Sequence, residues 1–357
     1  MRILFISPSL KNGGAEHMIG FVSRACASTG FDCLLYAVGF GKNEVPFDEK
    51  VRVYTSKYDG NQKKLIPKRA HEISSIIREE KVDMICAFTP HPVKLAVLAN
   101  MRHHLPIIAS ERDNPYAWGF LRKMINNFFY NRCSCIVYQV EGARNAFRGM
   151  ARRNGIVIPN PVLNKVAESV TSGSNTVFLA GGALTARKNF PMLIEAFSIF
   201  HKNHDAFTLL IYGDGEDKEK LSDLIRSLNL SNSVFLMGWK KDFVTSYAEK
   251  SFCFVLSSDN EGMPNVLIEA MANGIPCIST DTQPGGPRFL LDDGKNGLLV
   301  PVGDSKAMSE ALSWMVENVQ ERTAMAERAF DKLNNLSRAE IERKWIDCFV
   351  QWGQKNE

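Results

Sequence analysis

Short apolar runs alternate with amphipathic segments twice along this chain, and a proline-rich break separates the two series. In the first half, residues 2–7, 31–38, 83–88, 106–110 and 135–139 read as strands, with helices expected at 15–28, 67–80 and 93–101. The break falls at Val157-Ile-Pro-Asn-Pro-Val162 and runs through a polar stretch to Asn175. Beyond it, strands are expected at 177–180, 208–212, 234–237, 252–257, 275–279 and 298–301, and helices at 191–203, 217–228 and 306–319. Strand-sized apolar runs separated by helical periods indicate parallel sheets covered by helices. A chain of 357 residues is also too long for one ordinary core. The fold class this implies is α/β, with two Rossmann-like doubly wound domains facing a cleft. Residues 1–163 form one domain and 164–337 the other, with a hinge near 160–173 and ligand at the carboxyl ends of the strands.

Hydrophobic content of 45% and charged content of 23% suit a soluble globular protein. No apolar run is long enough to span a bilayer. The opening Met1-Arg-Ile-Leu-Phe-Ile-Ser7 meets Pro8 and a Lys-Asn-Gly-Gly loop at once, so it reads as a buried strand rather than a signal peptide. The eight cysteines sit mostly in apolar segments, without a Cys-x-x-Cys pair or a His cluster, as expected for reduced core thiols in a cytosolic protein. Net charge is +4 but divides unevenly. Residues 1–163 carry 23 Lys/Arg against 13 Asp/Glu, and residues 164–357 carry 20 against 26. A basic first half could face nucleic acid, an anionic membrane or a phosphate-bearing substrate. Residues 116–132 mix Trp, Phe and Tyr with Arg and Lys, the composition of an interfacial helix, and basic patches at 63–69 and 148–153 favour the membrane.

The chemistry concentrates in Glu261-Gly-Met-Pro-Asn-Val-Leu-Ile-Glu269. Pro264 suits a helix start, and Asn265 can cap the helix or occupy its first turn. N–H groups near Met263, Pro264, Asn265 and Val266, with the positive end of the helix dipole, suit a diphosphate. Two carboxylates are poor phosphate ligands, so Glu261 and Glu269 are assigned to sugar and ribose hydroxyls. Gly13 and Gly14 after the first strand lack both Gly-x-Gly-x-x-Gly and a Gly-Lys-Ser/Thr ending, which argues against a dinucleotide fold and a P-loop. Arg187 and Lys188 end a strand of the second series, where paired cations can take the charge of a leaving diphosphate.

The Glu-to-Glu spacing resembles the signature of the family-four retaining glycosyltransferases (glycosyl transferases group 1), which have the GT-B fold. Other landmarks follow in the same order: Gly13-Gly14-Ala15-Glu16, Ile158-Pro159-Asn160-Pro161, Gly182 through Asn189, Tyr212-Gly-Asp-Gly215, Gly285-Gly286-Pro287 and Gly294 through Pro301. The resemblance implies a donor diphosphate or acceptor at Gly13 and Gly14. It places a nucleobase near Gly213, Gly238 and Trp239, and a sugar or acceptor near Gly285 and Gly286. Many members have an Arg where this chain has Ala183, so Arg187 is expected to supply that charge. Many also have a His after the strand at 106–110, where this chain reads Ser110-Glu111-Arg112; Glu111 or Arg112 takes that position, with His91 a further candidate. The last helix is assigned to the first domain.

The resemblance implies front-face substitution with retention, the leaving phosphate helping to deprotonate the acceptor. Glu261, Arg187 and Lys188 form the catalytic set. The expected donor is a UDP-sugar, with no further cofactor, no metal and no nucleic acid partner. The acceptor is a lipid-linked or cell-surface glycan at the cytoplasmic membrane face, where the protein would sit peripherally. A nucleotide-sugar epimerase, a sugar phosphorylase and a non-catalytic membrane-docking protein are the alternatives. Lys188→Ala and Glu269→Ala are expected to abolish transfer and spare the fold.

Overall fold

The structure, a computed structural model, describes residues 1–11, 13–39, 47–58, 62–163 and 175–353, with residues 62 and 63 in backbone only. Asn12, the Lys63 side chain, most of the expected hinge and the last four residues of the chain lie outside the described residues. The chain divides into two compact units, residues 1–160 with 339–357, and residues 161–338.

Unit 1 is built on seven parallel strands: β1 (Arg2–Ser7), β2 (Asp32–Ala37), β3 (Arg52–Thr55), β4 (Met84–Phe88), β5 (Ile107–Glu111), β6 (Cys135–Tyr138) and β7 (Gly155–Val157). Their order is β3-β2-β1-β4-β5-β6-β7, so the direction of winding reverses between β1 and β4. β4 and β5 are buried along their whole length, which explains why they read as continuous apolar runs rather than alternating ones. The helix Arg338–Gly353 closes this unit: Trp345 stacks on Phe88 at 5.7 Å, and Phe349 meets Phe5 edge-on at 6.0 Å. All eight cysteines are buried free thiols.

Unit 2 holds six parallel strands: β8 (Val177–Gly181), β9 (Thr208–Tyr212), β10 (Val234–Gly238), β11 (Ser251–Leu256), β12 (Cys277–Thr280) and β13 (Leu298–Val300). The order is β10-β9-β8-β11-β12-β13, with the reversal between β8 and β11. Phe178 anchors its core, packed on Phe197, Phe200, Phe207 and Phe252 with ring centroids 5.3–6.3 Å away.

Several features differ from the reading of the sequence, among them the short strand β7 and the helix Val319–Lys332, neither of which was expected. β3 was not expected, because it is a mostly exposed edge strand whose Arg52 pairs with Asp32 and Glu80 instead of entering a core. The helix expected from Pro67 begins at Gln62 and carries the proline inside it. Pro67 lies in the second turn, where it removes a single helical hydrogen bond. Within the basic patch at 63–69, Arg69 is not a surface cation: it is 1% exposed and donates to Ser56 Oγ at 3.2 Å and the Tyr58 carbonyl at 2.9 Å.

Candidate active site

In doubly wound sheets, ligands lie beyond the carboxyl ends of the strands where the winding reverses. In unit 2 that place follows β8 and β11. After β8, Ala186–Lys188 form a 3₁₀ turn and Asn189 adopts a left-handed conformation. The Asn189 side chain caps the helix Phe190–His201 by accepting from the Met192 N–H at 3.2 Å. After β11, the Ser257 hydroxyl donates to the Lys188 carbonyl at 2.8 Å, and the Asp259 N–H donates to the Arg187 carbonyl at 2.9 Å. These bonds clamp the two loops together. Lys188 Nζ then meets Glu261 Oε1 at 2.5 Å, and the Ser258 hydroxyl donates to the same oxygen at 2.8 Å. Lys188 is 9% exposed and Glu261 7%, whereas Arg187 stays exposed.

Pro264 stands at the N-cap of the helix Asn265–Ala272, so Asn265 takes its first-turn position rather than capping it. The Asn265 and Val266 N–H groups belong to the first turn, which has no intrahelical acceptor. Met263 and Pro264 are buried beneath that turn. Glu269 lies four residues after Asn265 and therefore on the same helix face. It is exposed. The protein around it, then the Asp242 carboxylate, push the Glu269 carboxyl upward, and solvent at its open side limits that shift.

Two glycines are fixed by backbone contact. A Cβ on Gly213, whose φ is +143°, would lie 1.9 Å from the Gly182 carbonyl oxygen, and one on Gly286 would lie 1.9 Å from that of Gly262. Gly286 is thus packed against the loop that carries Glu261, with Gly285 in an open left-handed turn before it. Gly182, Ala183, Tyr212, Gly213, Asp214, Trp239, Lys240 and Phe243 line a cavity of about 240 Å³ at the ends of β8, β9 and β10. Tyr212 stacks on Phe243 at 5.0 Å on its wall, and Trp239 is 69% exposed. The Gly213 N–H donates to the Gly238 carbonyl, holding the two turns together.

In unit 1, Gly13 is the N-cap of the helix Gly14–Ser28, and the buried Glu16 folds back beside it, accepting from the Ser9 hydroxyl at 2.6 Å. Glu111 ends β5 fully buried, accepting from the Tyr130 hydroxyl at 2.5 Å and the Asp113 N–H at 2.8 Å. Burial outweighs those bonds and pushes its carboxyl up to about 7. Arg112 is half-buried and donates to Ser110 Oγ and Asn160 Oδ1 at 2.7 and 2.9 Å. His91 lies in the first turn of the helix Pro90–Ala99. Of these three, Arg112 and His91 line one cavity and Glu111 does not.

Sequence reasoning missed Ser257 and Ser258, which hold Lys188 and Glu261, and gave Asn189 no role beyond its place in a landmark, although it caps the following helix and donates to Asp259. The available signal was two serines directly after the apolar run Phe252–Leu256, at a strand end where hydroxyls must satisfy converging loop carbonyls and carboxylates. Phe243 and Lys240 of the 240 Å³ cavity were missed as well.

Two parallel-sheet Rossmann-like units, the second with a charged site at its switch point, define the GT-B class. A family model described as Glycosyl transferases group 1 matches residues 162–332, and one described as Glycosyltransferase Family 4 matches residues 12–162. The lipopolysaccharide core biosynthesis glycosyltransferase LpsE of Rhizobium meliloti is 26% identical over 337 residues, 90% of this chain and 91% of its own. A Campylobacter jejuni protein named GalNAc-alpha-(1->4)-GalNAc-alpha-(1->3)-diNAcBac-PP-undecaprenol alpha-1,4-N-acetyl-D-galactosaminyltransferase is 23% identical over 364 residues, 98% of this chain and 99% of its own. The crystal structure of Anabaena HepE in complex with UDP and glucose superposes with a TM-score of 0.80 at 20% identity, covering 98% of this chain and 100% of that one. The chain belongs to the family-four glycosyltransferases and is a glycosyltransferase of GT-B fold.

Proposed function

We propose that this enzyme is a retaining, metal-independent hexosyltransferase. It moves the sugar of a UDP-sugar to a lipid-linked or cell-surface glycan at the cytoplasmic face of the membrane, where it sits peripherally. The observation that carries this reading is the Lys188–Glu261 pair, held at the switch point of unit 2 beside the helix start at Asn265. Lys188 has three N–H donors, so one can keep Glu261 while another meets a phosphate oxygen. Arg187 and the Asn265 and Val266 N–H groups complete the diphosphate grip, and charge developing on the leaving UDP is stabilised there. Glu261 orients the donor sugar and Glu269 the ribose hydroxyls. The uracil packs in the cavity beside Gly213, Gly238 and Trp239, and HepE, which shares the fold, binds UDP.

In this reading residues 164–337 hold the donor, and residues 1–163 with the last helix hold the acceptor. Glu16 beside Gly13 suits acceptor hydroxyls better than a second diphosphate. A lipid-linked acceptor accords with the undecaprenol in the name of the Campylobacter relative and with the apolar surface of the helix Phe120–Tyr130, which exposes Phe120, Leu121, Met124 and Phe128.

A thermal-shift panel of UDP-, GDP- and ADP-sugars is the direct test. UDP-sugars should raise the melting temperature, and Trp239→Ala should reduce that gain. Free UDP should then appear only when acceptor is present, which separates transfer from epimerisation and phosphorolysis. Product NMR should show the donor's anomeric configuration kept, and turnover should survive EDTA. A panel without a UDP-dependent shift refutes the reading.

A further inference from the structure

Unit 1, given to the acceptor above, contains a cavity of about 550 Å³ to which no particular group of that ligand has yet been assigned. Thr89, Pro90 and His91 form one wall, Lys94 and Arg112 the next, and Arg122, Ile125 and Asn126 a third, with Ala15, Ile66 and Asp113 completing it. Three of these side chains carry a buried nitrogen without a hydrogen-bond partner among the described residues: Arg112 Nη2, His91 Nε2 and Asn126 Nδ2. Buried polar nitrogens are nearly always satisfied, so two donors and an imidazole nitrogen around one cavity mark a place where a ligand's polar atoms meet them. Asn126 is 9% exposed although it sits on a helix whose apolar residues face water. Thr89, a β-branched residue, is held at φ +71° where the first turn of the Pro90–Ala99 helix opens on the cavity. Its prolines at 90 and 92 leave His91 and Val93 to supply first-turn N–H groups, and that of Val93 donates to Thr89.

Charge sets the class of ligand. Among the described residues that line it, Lys94, Arg112 and Arg122 stand against one carboxylate, that of Asp113. Burial pushes the Arg112 guanidinium down to about 9, so an anion beside it is favourable. Shape sets the rest. Ile125 lines the cavity and is also 41% exposed on the helix Phe120–Tyr130, in line with exposed Met124 (56%), Leu121 (69%) and Phe128 (51%). The cationic cavity therefore opens directly onto an apolar surface.

We propose that this cavity binds the diphosphate of a lipid-linked acceptor, with Lys94, Arg112, Arg122 and Asn126 on the phosphates and the start of the lipid chain along Ile125 and Met124. The inference rests on the transferase reading and assigns the acceptor's anionic group to named side chains of unit 1.

Titration calorimetry of the full chain tests it with farnesyl diphosphate, inorganic pyrophosphate and farnesol, and with UDP as the control ligand of unit 2. Farnesyl diphosphate should bind at least tenfold tighter than either fragment. Lys94→Ala with Arg122→Ala should weaken it tenfold or more, as should Asn126→Asp, which adds a negative charge to the cavity. UDP affinity should be unchanged in both variants, which also reports that they are folded. Farnesol binding as tightly as farnesyl diphosphate overturns the proposal, as do variants that bind farnesyl diphosphate like the parent. Pyrophosphate matching farnesyl diphosphate overturns the lipid assignment. Loss of UDP affinity in a variant that keeps the parent's circular dichroism and melting profile gives the cavity to the donor instead. Absence of UDP binding in the parent refutes the donor reading alone and leaves these outcomes legible.

Discussion

Lys188 Nζ and Glu261 Oε1 stand 2.5 Å apart, 73 residues apart in sequence, and both side chains are about nine-tenths buried. The group proposed for the diphosphate and the group proposed for the donor sugar are thus partners before either ligand arrives. The pair is buried, so it does not behave like a surface salt bridge. Removing one member strands the other charge, at a penalty of about 3–5 kcal/mol.

Lys188→Ala should therefore lose stability as well as transfer, against the expectation that the fold would be spared. Equilibrium denaturation should show a midpoint shift matching that penalty, and Lys188→Met combined with Glu261→Leu should restore most of it while remaining inactive. A Lys188→Ala protein with parental stability would show that the pair is not formed in solution.

Arg187→Ala separates chemistry from structure. Its side chain is exposed and only its carbonyl is engaged by the neighbouring loop, so stability should change by less than about 0.5 kcal/mol. If Arg187 stabilises the leaving diphosphate, turnover should fall about 100-fold, the scale of one lost charge-stabilising donor. Steady-state kinetics with saturating donor would measure it; an unchanged kcat removes Arg187 from the catalytic set.

Much of this was legible in the sequence because parallel strands covered on both faces write themselves as apolar runs, as Met84–Phe88 and Thr208–Tyr212 do. Edge strand Arg52–Thr55 was not, since ion pairs rather than burial hold it. For the candidate site, local motifs singled out Glu261, Lys188 and the helix start, which the structure brings together. Their mutual pairing was not legible, because it depends on Ser257 and Asp259 joining two loops that are remote in sequence. Nor could spacing separate Glu111 from its neighbour Arg112: consecutive residues at a strand end take opposite sides, and only one lines the cavity.

Glu111 should make stability depend on pH. Its folded carboxyl titrates at about 7 against 4.5 unperturbed, because burial disfavours the charge. The folded state thus binds the proton more tightly, so the contribution is fully present below pH 4.5 and is lost as pH rises to 7. The Glu111→Gln variant keeps the shape of the neutral acid, and its amide can donate to the Tyr130 hydroxyl. Its stability relative to the parent should rise by on the order of 3 kcal/mol across that window. Denaturation midpoints at pH 5 and pH 8 would measure this; parallel profiles would mean that Glu111 titrates normally.

The helix Phe120–Tyr130 buries Asn126 and Tyr130 while exposing Phe120 at 81% and Leu121 at 69%, the reverse of a helix whose apolar stripe faces a core. Among the described residues no helix is long and apolar enough to cross a membrane, so any membrane contact through this helix is interfacial. Arg122, Lys123 and Arg132 flank the apolar group and would add attraction to anionic lipid, at about 1 kcal/mol each near the surface. Phe120→Ser with Leu121→Ser should lower partitioning onto phosphatidylglycerol vesicles at least tenfold and leave thermal stability unchanged, since neither side chain packs in the core. Raising the salt to 0.5 M should weaken the parent's binding by screening the cations. Sedimentation with vesicles would report both effects, and a double variant that partitions like the parent would show that this face meets something other than lipid.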